Sequence, residues 1–321
     1  MAMIIGHDKQ VSTLLASARG ARCHHAWLLA GAQGAGKASI AHAVALRLLA
    51  EAAGPAPAGD GVSVDPMHPI AKLVHAGAHA DYIWIERAVR DKSVQARAIS
   101  VDQIRALGPK FALAPAHSPR RIVVIDAVDD LEKAAANALL KILEEPPAQT
   151  LFFLISHAPG RLLATIRSRC RILHFQPLSD DQVRAILRDH HPGMEPHTLE
   201  FLVRAARGVP GRALSIAELD LGAVDAAFAE IARSGDPDNG KRCVLATQFA
   251  AKSAQARYEA LLRRAPVFLA ETACAQKGRA LARTLAAYEQ VSQLAASARV
   301  HNLDPQSAVF EIGSIIAGLA N

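Results

Sequence analysis

The sequence predicts an α/β chain, with a parallel sheet wrapped by helices at the front and helices alone behind. Three observations predict it. Ile122-Val123-Val124-Ile125 is an unbroken β-branched run, typical of a parallel strand buried on both faces. Ala26-Trp27-Leu28-Leu29 reads as a second strand, running into a glycine-rich turn and a helix from about Gly36 to Glu51. From Ser179 onward the apolar residues recur at helical spacing to the end of the chain.

The turn after the first strand is Gly31-Ala32-Gln33-Gly34-Ala35-Gly36-Lys37. Strand, GxxxxGK, helix is the spacing of a phosphate-binding loop, whose backbone N–H groups wrap a phosphate at a helix N-terminus. Gly31, Gly34, Gly36 and Lys37 are therefore candidate nucleotide-binding residues, with Lys37 placing a point charge on the β/γ-phosphates. The Ala/Gly/Pro-rich stretch over residues 53–61 reads as a loop inside this domain. A helix is expected from Val101 to Ala112, capped near Ser100.

The strand at Ile122 ends at Asp126, where a carboxylate at a C-terminal strand edge can hold magnesium through water. Asp129 or Asp130 can cap the next helix. Its apolar positions are Leu131, Ala135, Ala138, Leu139, Ile142 and Leu143, with Lys133, Asn137, Lys141 and Glu144 on the other face. Pro146 and Pro147 stop it, and Leu151 to Ile155 begins another buried strand. Ser168-Arg169-Cys170 then leads into a strand near Ile172 to Phe175, with Cys170 read as a small buried hydrophobe. Ser179 is an N-cap candidate, and helices are expected over 180–190, 196–206 and 211–218. Longer amphipathic helices follow. One carries Leu281, Leu285, Tyr288, Val291, Leu294 and Ala298 as a stripe, and another runs from Pro305 to Leu319.

The ordered combination N-A-L-L-K-x-L-E-E-P-P, strand, S-R-C over Arg120 to Cys170 resembles the clamp-loader branch of the AAA+ ATPases, as found in bacterial DNA polymerase III. The resemblance implies an AAA+ P-loop domain over 1–177, a helical lid over 178–219 and an all-α collar for oligomerisation over 220–321. It also implies that Arg169 acts in trans, reaching the γ-phosphate held by a neighbouring subunit. Where hydrolysing relatives carry Ser or Thr after the lysine, this chain has Ala38, and Ser39 points about 100° away around the helix. Ala127 stands where they carry the water-polarising glutamate, and Gly211 where they carry a nucleotide-contacting arginine, with Arg212 one step off. These losses point to a non-motor, stator-like subunit with no hydrolysis of its own. Weak ATP or ADP binding at the Gly–Lys portion stays open, and no cofactor is required. The implied partners are the motor and delta subunits, the sliding clamp indirectly, and primer–template DNA through the complex. The alternative is an active AAA+ motor, either the loader's own or a RuvB-like branch-migration motor. Any enzymatic role is otherwise that of an accessory subunit of a DNA-directed DNA polymerase.

Composition narrows the rest. At 321 residues, 51% hydrophobic and 21% charged, two or three soluble domains are expected. No apolar run nears the roughly 20 residues of a membrane span, and the N-terminus lacks the pattern of a secretory signal. Four scattered cysteines (Cys23, Cys170, Cys243, Cys274) without CxxC spacing fit a reduced cytoplasmic protein. Many relatives carry a four-cysteine zinc module where this chain has His68, His75 and His79 and no cysteine, so zinc is not expected. A net charge of +6 permits contact with a DNA backbone, and the 4% aromatic content supplies no stacking platform.

Overall fold

The computed structural model describes residues 4–20, 23–55, 57–90, 94–218, 221–251, 254–301 and 303–320. The chain divides into two compact units, Met1–Gly211 and Arg212–Asn321. The boundary expected between residues 219 and 220 lies outside the described residues.

The first unit opens with α1 (Asp8–Arg19), β1 (Ala26–Ala30), α2 (Lys37–Ala52) and α3 (Pro69–His75). Next come β2 (Tyr82–Glu86), the short β3 (Val89–Arg90) and β4 (Val94–Gln95), then α4 (Val101–Arg105), α5 (Leu107–Phe111) and β5 (Arg121–Asp126). It continues with α6 (Lys133–Glu144), β6 (Thr150–Ser156), α7 (Ala164–Arg167), β7 (Arg171–His174), α8 (Asp180–His190) and α9 (Pro196–Ala206). The unit boundary falls in the first turn of α10 (Pro210–Glu218).

Five strands form one sheet in the order β2-β5-β6-β1-β7, and every pairing is parallel. The unbroken apolar runs follow from burial on both faces. Ile122, Val124, Leu151, Phe153 and Ile155 pack with α1, α2 and α3. Val123, Ile125, Phe152 and Leu154 pack with residues of α4, α5, α6 and α7. Alternate side chains of one strand thus feed two cores.

Two expected elements differ. The helix over 101–112 is two short helices joined at Ala106. Pro109 has no N–H for the carbonyl four residues back, so a continuous helix would leave that carbonyl unpaired. Its start is capped at Ser100 as expected, and the structure adds the reciprocal bond of Gln103 that makes a capping box. Neither Asp129 nor Asp130 caps α6. The pair sits in a 3₁₀ turn over Val128–Asp130, and α6 begins at Lys133 behind Glu132, which makes no side-chain cap. Asp129 is drawn instead to the end of β6, where Ser156 Oγ (2.9 Å) and the His157 N–H (2.5 Å) donate to its carboxylate.

The second unit comprises α11 (Leu221–Ser234), α12 (Gly240–Thr247), α13 (Gln255–Cys274), α14 (Gly278–His301) and α15 (Pro305–Ala317). At its centre Arg264, 5% exposed, donates to Asp225 (2.6 Å) and Glu271 (2.8 Å). The stripe expected on α14 is buried only in part. Val291 and Ala298 are buried, but Leu285 is 48% and Tyr288 39% exposed. The inward face begins instead with Thr284 and Ala287 and continues through Val291, Ala295 and Ala298. The larger Leu281, Leu285 and Tyr288 line an open groove of about 310 Å³ with Ala270, Ala273 and Cys274 of α13.

Candidate functional site

The glycine-rich turn leaves the C-terminal end of β1, a strand held between β6 and β7. That is where open parallel sheets place a phosphate-binding crevice. Gly36 precedes α2 at φ 88°, a left-handed conformation that a side chain would disfavour.

The turn is engaged with its own chain. Lys37 is 2% exposed, and its Nζ donates to the carbonyls of Gly31 (2.7 Å) and Ala32 (2.6 Å). The Gly211 N–H donates to the Gly34 carbonyl at 2.9 Å. A ring nitrogen of His7 lies 3.1 Å from the Ala35 carbonyl. At Gly211 a Cβ would come within 2.6 Å of Gly34 Cα. Position 211 therefore admits glycine alone in this arrangement, and no arginine side chain can start there. Burial lowers the Lys37 ammonium to about 8, although the carboxylates of Asp126 and Asp129 favour its charge.

Asp126 ends β5, and burial pushes its carboxyl above the usual range. His157, just past β6, completes a group of Lys37, Asp126 and Asp129; burial lowers its imidazole and Lys37 lowers it further. His157 Nδ1 is buried without a hydrogen-bond partner. Sequence reasoning passed over His157. Its signal was position, a titratable residue directly after the buried strand Thr150–Ser156. The donor set does not fit a nucleotide-bound magnesium: Ala38 offers no hydroxyl beside Asp126, and no cluster of three metal-binding side chains exists among the described residues. His75 and His79, four residues apart in the sequence, do not share a neighbour. His75 stacks near His42 with centroids 6.2 Å apart, and His79 meets His117 edge-on at 5.3 Å.

Ser168-Arg169-Cys170 lies elsewhere. It follows α7 and enters β7, whose Arg171 is level with Trp27 of β1. At roughly 3.3 Å per residue, four residues of parallel strand put Gly31 about 13 Å further along the sheet. The glycine-rich turn and Arg169 therefore lie at opposite ends of adjacent strands, the turn past the C-terminal end of β1 and Arg169 before the N-terminal end of β7, which sets Arg169 away from its own chain's turn. Its Nη2 donates to Glu144 Oε1 at 2.6 Å, and its Nη1 to the Thr165 carbonyl at 2.9 Å and Ser168 Oγ at 3.5 Å. Nearby, Arg167 Nη1 donates to the Pro159 carbonyl at 3.4 Å and Arg171 lies over the Trp27 ring at 4.9 Å. Cys170 is partly buried, its thiol pushed up to about 12 by desolvation, so it is an inert packing residue.

The family model described as "DNA polymerase III, delta subunit" matches residues 6–179. The DNA polymerase III tau subunit of Salmonella typhimurium is 34% identical over 221 residues, covering 67% of this chain and 32% of that protein. The DNA polymerase III delta' subunit of Escherichia coli K12 is 33% identical over 207 residues, covering 64% of this chain and 58% of that protein. This chain thus spans about a third to somewhat over half of the curated relatives it matches. Among solved structures, a DNA polymerase III gamma subunit-related protein of Thermotoga maritima superposes with TM-score 0.51 at 17% identity, covering 97% of this chain and 100% of that one. At that identity the likeness shows the fold alone. Because the family model covers more than half of the 321 residues, this chain belongs to the DNA polymerase III clamp-loader family that the model and the delta' relative represent.

Proposed function

We propose that this chain is a non-motor, stator-like subunit of the replicative clamp loader, which completes a neighbouring subunit's ATP site with Arg169. The observation that carries the reading is the separation of the two signatures. The glycine-rich turn is closed on itself by Lys37 and Gly211, while Arg169 is presented at the opposite strand end. A guanidinium there can meet charge developing only on a phosphate brought by another chain. Its partners are the motor and delta subunits, and through them the sliding clamp and primer–template DNA. The residues Gly31, Gly34, Gly36, Lys37 and Asp126 are on this reading the remnant of a nucleotide site, and the protein works in the cytoplasm. No described helix is long and apolar enough to cross a membrane. The helices over 178–219 correspond to a lid, and 220–321 to the collar that joins the subunits.

The test is reconstitution. Loaders built with the native chain and with Arg169→Ala are compared for clamp-stimulated ATP hydrolysis, with assembly checked by size. Hydrolysis should fall; a fully engaged arginine finger is worth up to about 10³–10⁵ in rate, diluted here because several sites share the turnover. Arg169→Lys should rescue poorly, since an ammonium lacks the planar fork. Equal rates at equal assembly would leave the chain a scaffold.

A further inference from the structure

We infer that Glu144 is a positioning residue for Arg169: its carboxylate, together with the Thr165 carbonyl, holds the guanidinium ready for a neighbouring subunit's phosphate. The inference rests on the proposed reading of Arg169.

It begins with an oddity of local sequence. Helix α6 ends Leu143-Glu144-Glu145-Pro146-Pro147. Carbonyls converge at a helix C-terminus and its dipole is negative there, so acidic residues are locally disfavoured and lysine or arginine is preferred. Helix stability does not explain a glutamate as the last residue of α6. A contact outside the helix does. Glu144 Oε1 lies 2.6 Å from Arg169 Nη2, a short charge-assisted bond across 25 residues of sequence.

The geometry is that of a two-point mount. One η nitrogen binds the carboxylate of α6, and the other binds the carbonyl of Thr165 in α7 and touches Ser168 Oγ. Both supports are fixed. Ala135, Leu139 and Leu143 bury α6 in the core, the two prolines end it at one place, and Ile166 anchors α7 at 1% exposure. Three bonds engage three of the five guanidinium N–H donors, which leaves two for a ligand. The mounted side chain is still 33% exposed.

A free arginine has many rotamers, and ordering one at the moment of reaction weakens its contact with the transition state. Ordering it beforehand removes that cost. Glu144 touches one η nitrogen only and so orients the fork without covering it. A carboxylate that sequestered Arg169 from phosphate would do the opposite, and the two roles predict rate changes of opposite sign.

The experiment is a double-mutant cycle in the reconstituted loader, using the native chain, Glu144→Ala, Glu144→Gln, Arg169→Ala and Glu144→Ala/Arg169→Ala. The kcat and KM for ATP are measured, with assembly checked by size. For a half-exposed pair, Glu144→Ala should lower kcat by roughly two- to tenfold with little change in KM. Glu144→Gln should lose less, because its amide oxygen still accepts a bond. Added to Arg169→Ala, Glu144→Ala should cost nothing more. If Glu144→Ala does not assemble, Glu144→Gln decides by the same criterion, a lowered kcat at unchanged KM that vanishes in the Arg169→Ala background. A native kcat for both Glu144 variants beside a slow Arg169→Ala would overturn the role of Glu144 and spare that of Arg169. Faster hydrolysis would make Glu144 a competitor, and an undiminished effect in the Arg169→Ala background would show that it acts elsewhere. A native rate for Arg169→Ala would remove the underlying reading first.

Discussion

Lys37 shows how one residue can keep its place in a motif and change its work. In an open phosphate-binding loop its ammonium would face a ligand; here it is nearly enclosed and bonds two carbonyls of its own turn. Enclosure costs the charged form more than Asp126 and Asp129 return, hence the lowered value of about 8. Between about 8 and the ordinary lysine value of 10.5 the unfolded chain binds the proton and the folded chain does not, so stability rises with pH across that window. Denaturant titrations at pH 7.5 and 9.5 should show this as a gain in the native chain that Lys37→Met reduces. An equal gain in both would assign Lys37 no part in it. Gly211 makes a second prediction at this scale. Gly211→Ala places a methyl group 2.6 Å from Gly34 Cα. Such overpacking costs about 1–3 kcal/mol, read as a lower denaturation midpoint. The sequence marked Gly211 as the place of a missing arginine, but it could not show that the turn had closed on that glycine. That contact spans 177 residues, and nothing local encodes it.

At the scale of elements, what was legible was whatever a short window dictates. The buried strands, the N-caps at Ser100 and Ser179, and the stop at Pro146 all follow from residues within a few positions of one another. What was not legible depended on tertiary demand. Asp129 is an acceptable cap by local chemistry, yet the N–H groups after β6 claimed it. The α14 stripe was drawn through its largest apolar residues, while close packing selected the small ones beside them. Asp81 belongs with Asp129. Its carboxylate, 1% exposed just before β2, accepts from the backbone N–H groups of Ala116, His117 and Ser118 and so fastens the approach to β5. Asp81→Ala would strand three donors and should cost about 3 kcal/mol or more in chemical denaturation. Asp81→Asn keeps one accepting oxygen and should cost less. Equal stability of the native chain and the alanine variant would mean that water replaces the carboxylate.

At the scale of the whole molecule, the proposed function rests on what this chain lacks beside its hydrolysing relatives. A P-loop fold can look complete while three of its working parts are missing: a hydroxyl at Ala38, a carboxylate at Ala127 and a side chain at Gly211. Each loss acts at a different point of phosphoryl transfer, on the metal, the attacking water and the phosphate charge, so their effects compound. Restoring any one should leave the other two deficits in place. Purified alone, the chain should show no magnesium-dependent ATP hydrolysis above background, and Ala38→Thr should not create it. The control is Lys37→Ala, which removes the last charged element of the turn. Turnover on the order of 1 per second, the low end for phosphoryl-transfer enzymes, abolished by that control would mean that the chain is a motor. Background rates in all three proteins would agree with the non-motor reading and leave the role of Arg169 to the reconstituted loader.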